Sequence, residues 1–180
     1  MTDFELRIRI TQSLAEVPAR AWNMCAGDAV EVAAQPKSEL KSTSGDNLSP
    51  ALSTRGNAPN PFLSHEFLCS LEASRSVGGR TGWQPRHLLA ENAAGELLGA
   101  APCYVKTHSR GEYVFDHGWA EAFERAGGDY YPKLQVAVPF TPAQGRRLLV
   151  RPGEHAEAFR NALADSLANI CKRSNASSVH

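Results

Sequence analysis

From Phe4 the chain alternates strictly, with Phe4, Leu6, Ile8 and Ile10 on one side and Glu5, Arg7 and Arg9 on the other. That is the period of a strand with one solvated face. Ser13-Leu14-Ala15-Glu16 has capping-box spacing and Pro18 suits a first helical turn, so a short helix is expected through Trp22 and Cys25, ending near Gly27. Between about Glu31 and Ala58 the periodicity disappears into Ser, Thr, Asn and Lys, interrupted by Pro36, Gly45, Pro50 and Gly56. Unstructured loops longer than about 15 residues are uncommon in compact domains, so this stretch reads either as a working loop or, preferably, as a flexible insertion. The chain therefore divides into a first strand and helix over 1–30, an insertion over 31–58 and the remainder of the same domain over 59–180.

Order returns at Asn60-Pro61-Phe62. Ser64 can cap a helix that turns Phe67, Leu68 and Leu71 inward and stops at Gly78-Gly79. Arg86–Glu91 and Leu97–Lys106 read as a hairpin around Asn92-Ala93-Ala94-Gly95, with Pro102 demanding an edge or a bulge in its second strand. Tyr113-Val114-Phe115 is a short strand candidate, Asp116–Ala126 a helix stopped by Gly127-Gly128, and Lys133–Phe140 a strand facing Leu134, Val136 and Val138 inward. The clearest helix is Glu154–Arg173, where Ala156, Phe159, Leu163, Leu167 and Ile170 recur at steps of three or four. Ser177–His180 reads as the beginning of one more strand.

Composition narrows the class. With 180 residues, 42% of them hydrophobic, one domain with a sizeable core is expected. Nineteen Lys+Arg balance nineteen Asp+Glu, so the chain as a whole has no field to gather DNA or an anionic membrane, and any anion site must be a local cluster. No apolar run approaches the roughly 20 residues of a membrane helix. Asp3, Glu5 and Arg7 spoil a signal peptide, which makes the expected location cytoplasmic. Cys25, Cys69, Cys103 and Cys171 lie dozens of residues apart without a CxxC pair or a His at ligand spacing, so no metal is expected.

Candidate chemistry sits in three places. Asp116-His117, between a strand candidate and a helix, offers a base for an attacking amine, or Asp116 is simply the helix N-cap. Tyr130-Tyr131-Pro132-Lys133 brings two phenols and an ammonium to a strand entrance, suited either to gripping a polar acceptor or to packing. Trp119 either packs into the core or lines a pocket. Gln144-Gly145-Arg146-Arg147, with Arg151, precedes the last helix; glycine lets backbone approach a phosphate and arginines clamp its oxygens, or the stretch is a solvated basic turn.

Three stretches carry a family resemblance: Asn60-Pro61-Phe62-Leu63-Ser64-His65-Glu66-Phe67-Leu68, Gly111-Glu112-Tyr113-Val114-Phe115-Asp116-His117-Gly118-Trp119-Ala120, and Tyr130 through Pro142. Together they resemble bacterial N-acyltransferases of the Fem-like, GNAT-related superfamily associated with peptidoglycan biosynthesis or recognition. The resemblance implies an α/β (α+β) GNAT-like acyltransferase lobe, with a mixed central sheet flanked by helices, truncated before a second lobe. A lobe cut at a strand would leave an edge and an apolar interface open and would self-associate. It further implies transfer of an acyl or aminoacyl group to an amine of a peptidoglycan precursor or similar small molecule. Acyl-CoA is the expected co-substrate and aminoacyl-tRNA the alternative. Under this reading Asp116 and His117 are catalytic, and Trp119, Tyr130, Tyr131 and Lys133 bind substrate. Gln144, Gly145, Arg146, Arg147 and Arg151 hold the pyrophosphate, in the segment Thr141–Gly153 equivalent to the GNAT pyrophosphate turn. The GNAT signature itself is absent, because Gln144 is followed directly by Gly145. A non-catalytic module that recognises a glycan-peptide or a protein partner is the competing reading.

Overall fold

The computed structural model describes residues 5–27, 60–112 and 115–180. The expected insertion and the residues Phe4, Tyr113 and Val114 lie outside the described part. Among the described residues, seven strands, β1 (Leu6–Thr11), β2 (Trp83–Pro85), β3 (His87–Asn92), β4 (Leu97–Ala101), β5 (Cys103–Lys106), β6 (Lys133–Val136) and β7 (Leu149–Val150), are accompanied by four α-helices, α1 (Ala19–Ala26), α2 (His65–Ala73), α3 (His117–Arg125) and α4 (Ala156–Arg173).

The strands form two sheets rather than one central sheet, in the orders β1-β3-β4-β7 and β2-β5-β6, and every pair within them is antiparallel. The fold is thus α+β. The expected hairpin is present and longer than its apolar pattern shows, since β2 and β3 on one arm and β4 and β5 on the other cross from one sheet to the second at Arg86 and Pro102. Proline has no N–H for a ladder. At Pro102 the chain leaves one sheet for the other while the Pro102 carbonyl still accepts the Ala137 N–H at 3.2 Å. A register shift between Ala90 and Glu91 adds the bulge.

Both faces of the first sheet are covered, which accounts for the continuous apolar runs in β3 and β4. Leu89, Leu97 and Ala100 join Trp22 and Cys25 of α1 and Leu68 of α2 on one side. Leu88, Ala90 and Ala101 meet Phe159, Leu163 and Leu167 of α4 on the other. Gly99 allows the close approach of this second layer: a Cβ there would lie 3.2 Å from the Leu149 carbonyl oxygen, Leu163 Cδ1 and Val150 Cγ1. The expected inward face of β1 holds for Leu6 and Ile8, which pack beside α4. Ile10 is 44% exposed, because β1 is an edge strand and the cover ends before it.

In the second sheet the register separates two chemistries. Cys103 opposite Val136 and Val105 opposite Leu134 face the α4 core. Tyr104 opposite Gln135, and Lys106 opposite both Lys133 and Trp83, face the other way. Ser177–His180 adds alongside β6 in parallel, with the Leu134 N–H donating to Ser178 and the His180 N–H to Leu134, each at 2.9 Å, and a bridge between Leu134 and Val179.

Candidate functional site

The polar face of the second sheet ends in a cavity of about 360 Å³ lined by Glu112, Asp116, Trp119, Tyr130, Lys133, Gln135 and His180. Strand alternation places Lys133 and Gln135 on one face while Leu134 and Val136 enter the core. Lys133 is 2% exposed, and its Nζ lies 2.5 Å from Asp116 Oδ2 and 3.3 Å from Glu112 Oε1. It also sits over the rings of Tyr130 and Tyr131, at 5.3 and 5.6 Å from their centroids.

The Tyr131 hydroxyl donates to Asp116 Oδ1 at 2.7 Å, and the Asp116 N–H donates to the Ser109 hydroxyl. Asp116 occupies the N-cap position of α3, but its side chain makes no capping bond. Its oxygens are instead committed to Lys133 and Tyr131. Burial would push the Asp116 carboxyl up. The Lys133 ammonium and the hydroxyls of Ser109 and Tyr131 outweigh burial and hold it well below the usual carboxylate range. A carboxylate so firmly ionised is a poor base near neutrality and a good anchor. Burial lowers the Lys133 pKa, but Asp116 and Glu112 raise it by more. The Tyr131 phenol is pushed up by burial and by Asp116.

Four of the substrate-binding candidates, Trp119, Tyr130, Tyr131 and Lys133, therefore gather around one feature together with Asp116. Trp119 is 76% exposed at the rim, so it does not pack into the core. His117 stands apart: its exposed ring stacks on Phe115 at 5.5 Å and does not line the cavity. Glu112, Gln135 and His180 complete the lining without having been expected there. Gln135 was within reach of the alternation argument, being two residues from Lys133 on a strand. Nothing local in the sequence marks Glu112 or His180. Gln135 Oε1 is buried with no hydrogen-bond partner among the described residues, leaving an acceptor at the cavity. Burial and the charge of Lys133 hold the His180 imidazole below its ordinary pKa.

Lys106, next to Lys133 across β5 and β6, is fully buried. Its ammonium lies 4.0 Å from the centroid of the Trp83 ring and donates to the Arg110 carbonyl at 2.8 Å. Burial pushes its pKa down to about 8.

The basic turn before α4 lies elsewhere, and none of its candidates lines the Lys133 cavity. The Arg147 guanidinium donates to the carbonyls of Ala143 and Gly145 in its own turn, and burial lowers its pKa. The Gln144 carbonyl accepts from Asn60 Nδ2 at 2.6 Å. Gly145 has φ +141, and a Cβ there would lie 2.8 Å from the same Asn60 nitrogen. Arg146 is exposed, with Nη2 2.9 Å from where a Cβ of Gly27 would stand. The backbone N–H of Arg151 pairs with Leu98 in the sheet, and its Nε is buried with no hydrogen-bond partner among the described residues. Among the described residues no group of three His, Cys, Asp or Glu could hold a metal ion, and no helix is long and apolar enough to cross a membrane.

The two sheets, the α4 cover and the charged, aromatic-rimmed cavity define an α+β domain with a ligand-sized site at one sheet edge. Residues 13–180 match the model of the FemAB-like family, described as peptidoglycan biosynthesis/recognition, and the chain belongs to that family. No curated relative and no solved structure matches it.

Proposed function

We propose that this chain is a cytoplasmic GNAT/Fem-like N-acyltransferase that moves an acyl or aminoacyl group to an amine on a peptidoglycan precursor, and that the Lys133 cavity receives the amine-bearing acceptor. The observation that carries the reading is the lining of that cavity. It combines an exposed indole platform, an unpartnered buried amide oxygen and a buried ammonium with two carboxylates. Gln135 Oε1 and Glu112 accept from an amine or hydroxyl donor, and Trp119 covers an apolar or sugar face. An ammonium has three donors; Asp116 and Glu112 use two, and the third is available to an oxyanion.

In the reaction the amine nitrogen attacks the carbonyl carbon of a thioester or ester. A C–N bond forms, the C–S or C–O bond breaks, and the amine loses a proton. Direct attack of this kind requires orientation more than a covalent nucleophile. Asp116 is held ionised by Lys133, so the proton acceptor is assigned to the low-pKa His180 imidazole at the cavity rather than to His117. Acyl-CoA is the preferred donor and aminoacyl-tRNA the alternative. Under the preferred reading Arg146, the exposed arginine of the basic turn, is the contact to the donor.

The test is transfer from radiolabelled acyl-CoA or aminoacyl-tRNA to a muropeptide precursor, comparing wild type with Trp119→Ala and His180→Gln. Trp119→Ala is expected to raise KM for the acceptor roughly tenfold or more, the scale of a lost base- or ring-stacking contact. His180→Gln is expected to lower kcat by about a hundredfold. Unchanged kinetics in both variants would remove the cavity from the reaction. Binding of the precursor without turnover by the wild type would favour the recognition module, a reading supported by the commitment of Lys133 to both Asp116 and Glu112.

A further inference from the structure

We propose that a second cleft, between the C-terminal end of α2, the loop 78–82 and β2, is a binding site for a small phosphate ester with a polar body. The cleft has a volume of about 630 Å³, within the range of small-molecule sites, and Arg75, Arg80 and Arg86 line it together with Glu72, Gln12 and Gln84. None of the three guanidiniums lies within 4.0 Å of a carboxylate among the described residues. Among the described residues the Arg86 guanidinium donates only to the adjacent Pro85 carbonyl, at 3.1 Å. Three planar, permanently charged forks around one opening are the donor set that matches phosphate oxygens.

Arg75 is not consumed in closing its helix. The last carbonyls of α2 are already taken by backbone donors, Ser74 to Ser70 and Arg75 to Glu72 at 2.9 Å and Ser76 to Leu71 at 3.0 Å. Glu72 is the one carboxylate in the lining, and it is committed inward. It accepts from the Ser13 hydroxyl and the Leu14 N–H at 2.9 Å and lies 3.0 Å from His87 Nε2. Three guanidiniums and one carboxylate leave the lining with a net charge of plus two, which matches the roughly −1.5 to −2 of a phosphate monoester.

The glycine loop supplies a second, independent observation. Gly78 and Gly79 have φ of +84 and +54, and a Cβ at either would meet no atom within 4 Å. These glycines serve the path of the backbone and not close packing. The loop is held by Gly78 N–H to Trp83 at 2.6 Å and Thr81 N–H to Gly78 at 3.1 Å. Gly79 and Arg80 are exposed residues of the cleft lining, and their N–H groups have no acceptor among the described residues, which leaves backbone donors free beside the arginines. The cleft exceeds what one phosphate fills, and the amides of Gln12 and Gln84 and the hydroxyls of Ser13 and Thr81 share the remaining lining with Val77 and Pro85, so the body of the ligand meets polar groups there.

Calorimetric titration of the whole chain with ADP, inorganic pyrophosphate and bulk tRNA tests this, using wild type, the double variant Arg75→Gln/Arg80→Gln and Trp119→Ala. Both arginines are exposed, so the double variant is expected to keep the wild-type melting curve. Saturable binding of ADP or pyrophosphate is expected. It should weaken at least tenfold in the double variant, remain unchanged in Trp119→Ala, and fall as salt rises. Failure of both phosphate probes to bind, or equal affinity in the double variant, would overturn the site. So would binding of tRNA alone, lost in the double variant, which would assign the arginines to nucleic acid. Because Trp119→Ala reports on the other cavity, the outcome is separable from the transferase reading.

Discussion

Replacing Lys133 by Met should show how strongly the candidate site is built into the fold. The ammonium is 2% exposed and lies 2.5 Å from Asp116 Oδ2 and 3.3 Å from Glu112 Oε1. Removing it leaves two carboxylates facing each other in a poorly hydrated place. Breaking a buried pair in this way costs about 3–5 kcal/mol, even where the intact pair contributes little net stability. Asp116→Asn keeps the volume and loses the charge, while Lys133 retains Glu112, so its cost should be smaller, about 1.5–3 kcal/mol, the range of one hydrogen bond to a charged group. In the double variant the second change should cost less than it does alone. The expected coupling is about 2 kcal/mol, read from urea denaturation of the four proteins followed by the fluorescence of the three tryptophans. Coupling within about 0.5 kcal/mol of zero would refute the ion pair, since that is the scatter of independent sites. If Lys133→Met does not fold, Asp116→Asn against Tyr131→Phe probes the same carboxylate. Asp116 has a depressed folded pKa, so its contribution is complete above the unfolded value near pH 4 and is lost as pH falls through the lower folded value. The coupling should therefore persist at pH 5 and decline only below about pH 4.

Gly99→Val should destabilise the domain by about 1–3 kcal/mol in thermal melts, because its side chain would enter the contact between β4, β7 and Leu163 of α4. Lys106 gives a second pH test. Its folded pKa is pushed down to about 8, so between that value and the unfolded value near 10.4 the unfolded chain binds more protons. The stability of wild type relative to Lys106→Met should accordingly rise from pH 8 to pH 10 in chemical denaturation. A flat difference would mean that Lys106 stays charged over the Trp83 ring.

Much of the scaffold follows from local rules. The alternation in 5–11 makes a strand in any context that buries one face, and the spacing of Phe159, Leu163 and Leu167 makes α4. Asn92-Ala93-Ala94-Gly95 turns the hairpin because the Asn92 side chain accepts from Ala94 and Glu96, and Gly95 takes φ +79. The gathering of Trp119, Tyr130, Tyr131 and Lys133 was also within reach, since strand entrances and helix starts are where side chains leave the core. The tertiary structure decided how those residues are used. Asp116 reads locally as an N-cap, but a buried ammonium from β6 binds its carboxylate more strongly than a backbone N–H would. Arg147 reads as an anion clamp, yet its own turn presents nearer carbonyls. The switch of the hairpin between two sheets depends on Pro102 and on the pairing of distant β6 and β7, and the cleft lined by Arg75, Arg80 and Arg86 is completed by Gln12 and Ser13 from the start of the chain. Short-range sequence fixes which backbone shapes are allowed; ion pairs, edge positions and shared cavities depend on contacts between segments tens of residues apart, which no local pattern encodes.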